Sequence, residues 1–288
     1  MEETMSPLRK IMAAAAMVLA AVSVASPSAS AGTSQAATTA RYQYRAYHGL
    51  DEWGFISSVP KSGSGLRPVV ITNGQQKSQE RYAMFWDNRP GPDWKLGGGS
   101  SGNGTYQQEF DRLTAQGYQP TMVTATGSGS SASFIAIWEK KPGKFYARHG
   151  LSIPEFQSAN NSFNANGYMP ISANLYGTPS DPRVVAVWAA RPSGVFAHVT
   201  VSSSAAEYQS DFEYNVKRGF RPSAIAVSPD GKGYLAVWRN DSIGAWYAFH
   251  AMSAAQYQAR FDEMTAKGLY PTWIDMENGV YAAVFTAR

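Results

Sequence analysis

The residues in this chain best suited to chemistry are its four histidines, since there is no cysteine to act as nucleophile or soft metal ligand. His48, His149 and His250 recur at one place in a repeating pattern, just past an aromatic strand and three residues before an expected helix start. His198 reads as offset from that place by one. A rim of imidazoles of this kind could hold a metal ion or a polar ligand. Zinc, however, needs three or four donors converging within about 2.0–2.2 Å. Equivalent positions in different repeats lie a repeat width apart and converge only near a ring axis. A repeated structural role, with each ring bonding a loop or a helix terminus, is the plainer expectation. No metal or other cofactor is expected.

Two serine motifs match hydrolase signatures in letters. Gly98-Gly99-Ser100-Ser101-Gly102 fits Gly-x-Ser-x-Gly, but it sits in GGGSSGNG, which reads as a flexible linker rather than a strained turn between strand and helix. Ser58-Val59-Pro60-Lys61 fits Ser-x-x-Lys, yet Pro60 opposes the helical turn that would aim lysine at serine. The carboxylates Glu109, Asp111, Glu207, Asp211, Asp262 and Glu263 fall on expected helices and read as solvated faces. Nothing in their spacing predicts the facing pair of a glycosidase. No catalytic residue is therefore assigned.

The elements that must position these residues are repeats. Gly-x-x-Pro occurs at Gly65–Pro68, Gly117–Pro120, Gly167–Pro170, Gly219–Pro222 and Gly268–Pro271, at spacings of 52, 50, 52 and 49 residues. Each is followed by an apolar run ending in an aromatic: Trp86, Trp138, Trp188, Trp238 and Phe285. A helical pattern precedes each glycine. Tyr106, Phe110 and Leu113 share one helix face, as do Phe156 and Phe163, Tyr208 and Phe212, and Tyr257, Phe261 and Met264. Ser152, Ser253 and one of Ser202 to Ser204 suit the N-cap. The glycine suits a left-handed C-cap, with proline beyond it to prevent continuation. The first copy contains Pro60 and several glycines, so its helix is expected to be short or broken.

These signals predict an α+β chain of five units, each strand–helix–strand–strand, over about 41–92, 93–143, 144–193, 194–243 and 244–288. One such unit cannot bury its own faces, so neighbours must stack, in a curved array or a closed propeller-like ring. The four tryptophans at strand ends read as packing between repeats. The variable aromatic strands hold Trp94, Tyr146 and Trp246. Together with His48, His149 and His250, these form the expected ligand surface.

Arg9 and Lys10, the apolar run from Ile11 to Val24 and the small residues Ala29-Ser30-Ala31 predict a signal peptide over 1–31, then a flexible lead-in over 32–40. Export is expected, with no stable membrane span after cleavage. The net charge of +4 is too small and scattered to imply nucleic acid.

The strings FYARHGLSIPEFQSANNSFNANGYMP and WYAFHAMSAAQYQARFDEMTAKGLYP resemble the bacterial tandem-repeat domain that precedes the serine beta-lactamase-like domain of polyglycine hydrolases and related secreted proteins. Ala147 to Leu151, Phe156-Gln157, Gly167 to Pro170 and Val184 to Trp188 carry the resemblance, which spans the mature chain. It places the hydrolytic residues of those relatives in the other domain. Because this chain is expected to end with its fifth repeat, their peptidase activity is not carried over. The expected role is a secreted, non-catalytic binding or scaffold protein for an extracellular protein, peptide or polysaccharide such as a cell-wall polymer. A serine hydrolase acting on peptide or glycan, and an inhibitor or accessory subunit of a separate hydrolase, are the alternatives.

Overall fold

The computed structural model describes residues 42–61 and 63–288; the expected signal peptide and lead-in lie outside the described residues. The first repeat consists of β1 (Tyr44–Leu50), α1 (Glu52–Ser58), β2 (Arg67–Gln76) and β3 (Gln79–Asp87). The second consists of β4 (Trp94–Ser100), α2 (Thr105–Ala115), β5 (Tyr118–Thr126) and β6 (Ser133–Lys140). The third holds β7 (Phe145–Leu151), α3 (Ile153–Ala165), β8 (Tyr168–Thr178) and β9 (Asp181–Ala190). The fourth holds β10 (Ala197–Ser202), α4 (Ala205–Lys217), β11 (Arg221–Val227) and β12 (Tyr234–Arg239). The fifth holds β13 (Trp246–Met252), α5 (Ala254–Ala266), β14 (Leu269–Glu277) and β15 (Val280–Ala287).

Every repeat forms one antiparallel three-stranded sheet in the order first, third, second strand. The third strand is the apolar run, buried between its neighbours, and it carries the fully buried Trp86, Trp138, Trp188, Trp238 or Phe285. The helix packs its aromatic face on that sheet, with Tyr106, Leu113, Phe156, Phe163, Tyr208, Tyr257, Phe261 and Met264 buried. The caps follow the sequence. Ser152, Ser204 and Ser253 each accept a backbone N–H of the first turn, and Ser152 and Ser253 complete capping boxes. In the first repeat the helix is a seven-residue segment that ends before Pro60. Contrary to expectation, GGGSSGNG is not a linker. Gly97 to Ser100 continue β4, and a turn leads directly into α2. Glycine is required in that strand by space: a Cβ on Gly97 would lie 2.7 Å from Nε1 of Trp138.

The second strand of each sheet, at its inner edge, sets the interior. β2, β5, β8, β11 and β14 lie against one another in succession, and β14 also lies against β2. An edge strand exposes backbone groups that must find partners. Here side chains from the adjoining inner strand supply them. Ser172 Oγ and Asn174 Oδ1 accept the N–H groups of Val123 and Ala125, at 3.0 and 2.9 Å. Asp275 Oδ2 accepts from Val227 at 2.7 Å, and Glu277 Oε1 from Gln75 at 3.1 Å. This accounts for a polar layer inside an otherwise apolar core.

Candidate functional site

The prolines of the five Gly-x-x-Pro elements sit at the start of the inner strands, where an edge tolerates a residue that cannot donate. In all five repeats the ladder shifts just after the proline, between Pro68 and Val70 in the first and at the matching places in the others. The residue caught in that bulge is left out of the pairing. It is Val69, Thr121, Ile171, Ser223 or Thr272. The three that bear a hydroxyl turn it back to a carbonyl of the third strand: Thr121 to Ile137 at 3.3 Å, Ser223 to Val237 at 3.3 Å and Thr272 to Val284 at 3.4 Å. All five bulge residues line one cavity of about 560 Å³. That volume lies within the usual range for small-molecule sites.

Met122, Ile137, Ile171, Ile243 and Trp273 give the cavity an apolar lining. Trp273 is held in place by its indole N–H, which donates to the carbonyl of Ile225 at 2.9 Å. Charge is supplied by the residue before the proline and by the end of the third strand. Arg67, Arg89, Arg221 and Arg239 line the cavity together with Asp87 and Glu139. Arg67 pairs with Glu139 of the next repeat, and Arg89 pairs with Asp87. Arg221 and Arg239 stand directly opposite each other across two strands, a costly placement for like charges. Both lean on Asp241, at 2.7 and 2.5 Å. Burial lowers the pKa of Arg221.

The histidines lie elsewhere. His149 stands edge-on to Tyr106 and Phe134 of the preceding repeat, with ring centroids at 5.6 and 5.1 Å. His250 meets Tyr208 and Tyr234 of its preceding repeat at 4.6 and 5.4 Å. His48, in the first repeat, meets Tyr257 and Tyr281 of the fifth at 5.1 and 5.8 Å, and its Nε2 is 2.9 Å from Gln258 Oε1. Desolvation lowers the pKa of His149 and His250, which favours neutral rings. His198 is not one place out of step. It pairs with Trp238 as Tyr146 pairs with Trp188, which sets it three residues from the position of His149. Among the described residues, no three His, Asp or Glu side chains gather as a metal site would require.

Trp94 packs edge-on to Trp86 at 5.4 Å and Trp246 on Phe212 at 6.1 Å, both between adjacent repeats. Tyr146 is exposed and stacked on Phe163 at 4.3 Å. None of these three lines the cavity. Ser100 Oγ donates to Asn103 Oδ1 at 2.8 Å, a local turn contact. Substituting His48 by Ala is expected to cost about 1–2 kcal/mol, the worth of its ring contacts and one hydrogen bond. A chelator should leave the melting temperature of the wild type unchanged; both effects are read by thermal unfolding.

The sequence matches the family described as "Polyglycine hydrolase-like, structural repeat" five times, over residues 42–89, 91–141, 142–191, 200–241 and 243–288. The chain belongs to that family of structural repeats. The matches cover the strand–helix–strand–strand units of this family member, the fourth beginning part-way along β10, and each includes the proline and the bulge residue that lines the cavity.

Proposed function

We propose that this protein is a secreted, non-catalytic binding protein whose five repeats close into a ring, with the cavity at the Gly-x-x-Pro end receiving part of an extracellular protein, peptide or cell-wall polymer. The observation that carries the binding role is the convergence of five bulge residues, one from each repeat, on a single cavity. Closure is supported by contacts between the first and fifth repeats. Thr72 donates to Asp275 at 2.9 Å, the ring of His48 lies edge-on against the stacked pair Tyr257 and Tyr281, and Tyr42 meets Tyr270 at 4.4 Å. Secretion is supported by the basic, apolar and small-residue order of the first 31 residues.

The non-catalytic reading is supported by the placement of the groups that chemistry would need. The cavity holds arginines and carboxylates tied in ion pairs, and the histidines stand in slots between repeats. The test is a binding panel of peptides and insoluble cell-wall polysaccharides, run on the wild type and on Ile171→Trp. Ile171 faces the cavity, so the larger ring fills it. Loss of binding by at least tenfold, with the melting temperature unchanged within a few degrees, is the expected result. Equal binding by both proteins would move the site elsewhere, and turnover of an ester or peptide substrate would overturn the non-catalytic reading.

A further inference from the structure

The ion pairs around the cavity are unequal. Arg89 has Asp87 as its carboxylate, and Arg67 has Glu139, whose other oxygen also meets Lys141, a residue outside the cavity lining, at 3.4 Å. Arg221 and Arg239 divide one, Asp241. Arg221 is only 8% exposed, and the Nε groups of both Arg221 and Arg239 are buried with no acceptor. A guanidinium has five N–H donors in a fixed plane, and buried donors are normally all engaged. Two guanidinium groups facing each other across a strand pair, with one carboxylate between them, therefore carry surplus positive charge beside a cavity that both residues line.

We propose that this wall binds a ligand carboxylate through Arg221 and Arg239, and that the ligand is the C-terminal end of a peptide. The inference rests on the proposed binding role of the same cavity and adds the class of ligand. A planar carboxylate matches a guanidinium fork through two parallel hydrogen bonds. The surplus at this wall is one charge, which suits a monoanion. The remaining lining decides between sources of carboxylate. Met122, Ile137, Ile171 and Trp273 offer apolar surface to a terminal side chain, while a sugar acid would leave its hydroxyls facing them unpaired. A cavity of about 560 Å³ accommodates two or three residues. Asp241 then acts as an internal competitor that holds the two arginines in place until the ligand carboxylate arrives.

The experiment is calorimetric titration with N-acetyl-Ala-Leu bearing a free carboxylate, with the same peptide as its C-terminal amide, with sodium glucuronate and with inorganic phosphate. The proteins are the wild type, Asp241→Asn and Arg221→Met. The free acid should bind the wild type at least tenfold more tightly than the amide and more tightly than glucuronate or phosphate. Asp241→Asn should bind the acid about tenfold more tightly still, because the competitor has lost its charge, and should gain more melting temperature from it than the wild type does. Arg221→Met should lose the preference for acid over amide. Should Arg221→Met fail to fold, the acid–amide comparison on the wild type and the gain in Asp241→Asn still decide the matter. Equal binding of acid and amide, stronger binding of glucuronate or phosphate, or no binding of the acid to either folded protein would overturn the proposal. If the acid fails while Ile171→Trp still abolishes binding in the wider panel, the cavity remains the site and only the carboxylate assignment falls.

Discussion

Replacing Asp275 by Ala is expected to destabilise the protein by about 4 kcal/mol, because three buried donors lose their acceptor together. Thr72 and Asn174 donate to its Oδ1 at 2.9 and 2.8 Å, and the N–H of Val227 donates to its Oδ2 at 2.7 Å. Those donors come from the first, third and fourth repeats, so the loss is felt across the molecule rather than at one junction. Chemical denaturation would show a lower midpoint for the whole transition. The same carboxyl gives the protein a pH dependence opposite to that of most acidic residues. Burial pushes Asp275 up to about 7; burial, aided by the nearby charge of Asp275, pushes Glu277 up to about 8. Folding therefore takes up protons between the ordinary carboxylate range and pH 7–8. Their favourable contribution is complete below about pH 4, declines as pH rises and is exhausted above about pH 8. Across that window the fall is on the order of a few kcal/mol, or about 10 °C in melting temperature. Glu277→Gln should flatten the upper end of the profile, since a neutral amide can still accept from Gln75 and donate to Thr126. A melting temperature that rises from pH 5 to pH 9 would contradict this account of the interior.

The second large effect is expected at Gly74. A Cβ there would lie 1.7 Å from the carbonyl oxygen of Met276 and 2.7 Å from its carbon, both backbone atoms that cannot swing aside. The corresponding inner-strand positions in the other repeats hold Thr126, Tyr176, Ser228 and Glu277, so the demand for glycine is confined to the place where the first repeat meets the fifth. Gly74→Ala should cost about 3 kcal/mol by overpacking, and more with a larger side chain. Thermal unfolding would read this as a fall of about 10 °C. Were β2 and β14 apart in solution, the substitution would be close to neutral.

Much of the fold was legible in the sequence because it lies in short-range patterns. The pairs Tyr106 with Phe110 and Tyr257 with Phe261, the caps Ser152 and Ser253, and the left-handed glycines such as Gly117, at φ 82, are each set by residues within one helix and its ends. The aromatic that ends the apolar run was legible for the same reason. The polar interior was not. Thr72, Asn174, Asp275 and Glu277 lie on strands from different repeats and meet only after the inner edges come together. Nothing in PTWIDME announces that its aspartate, Asp275, accepts the backbone N–H of Val227 from a neighbouring repeat. The cavity was hidden likewise. Arg67 and Arg221 occupy a variable place in Gly-x-x-Pro, and no spacing announces that two arginines will share Asp241. The histidines combine a chemically versatile side chain with a regular recurrence. That regularity belongs to the junctions between repeats, where each of the three in-register rings fits against two aromatics. GGGSSGNG misled through composition, since glycine is read as a loop residue, yet Gly97 is needed in the strand to clear the indole of Trp138.

The proposed closure of the five repeats would bring the bulge residues to one cavity, so it is the claim to test first. The guanidinium of Arg288 lies 4.2 Å from the ring centre of Tyr42, which places the two ends of the described chain side by side. A circular permutant opened between Pro142 and Gly143, with Arg288 joined to Tyr42 through a short Gly-Ser linker, measures closure directly by its thermal unfolding. A ring predicts a single cooperative transition within about 5 °C of the wild type, because every junction survives the change of connectivity. An open array predicts a permutant with two separable transitions or no folded state, since the new linker would have to span the length of the array.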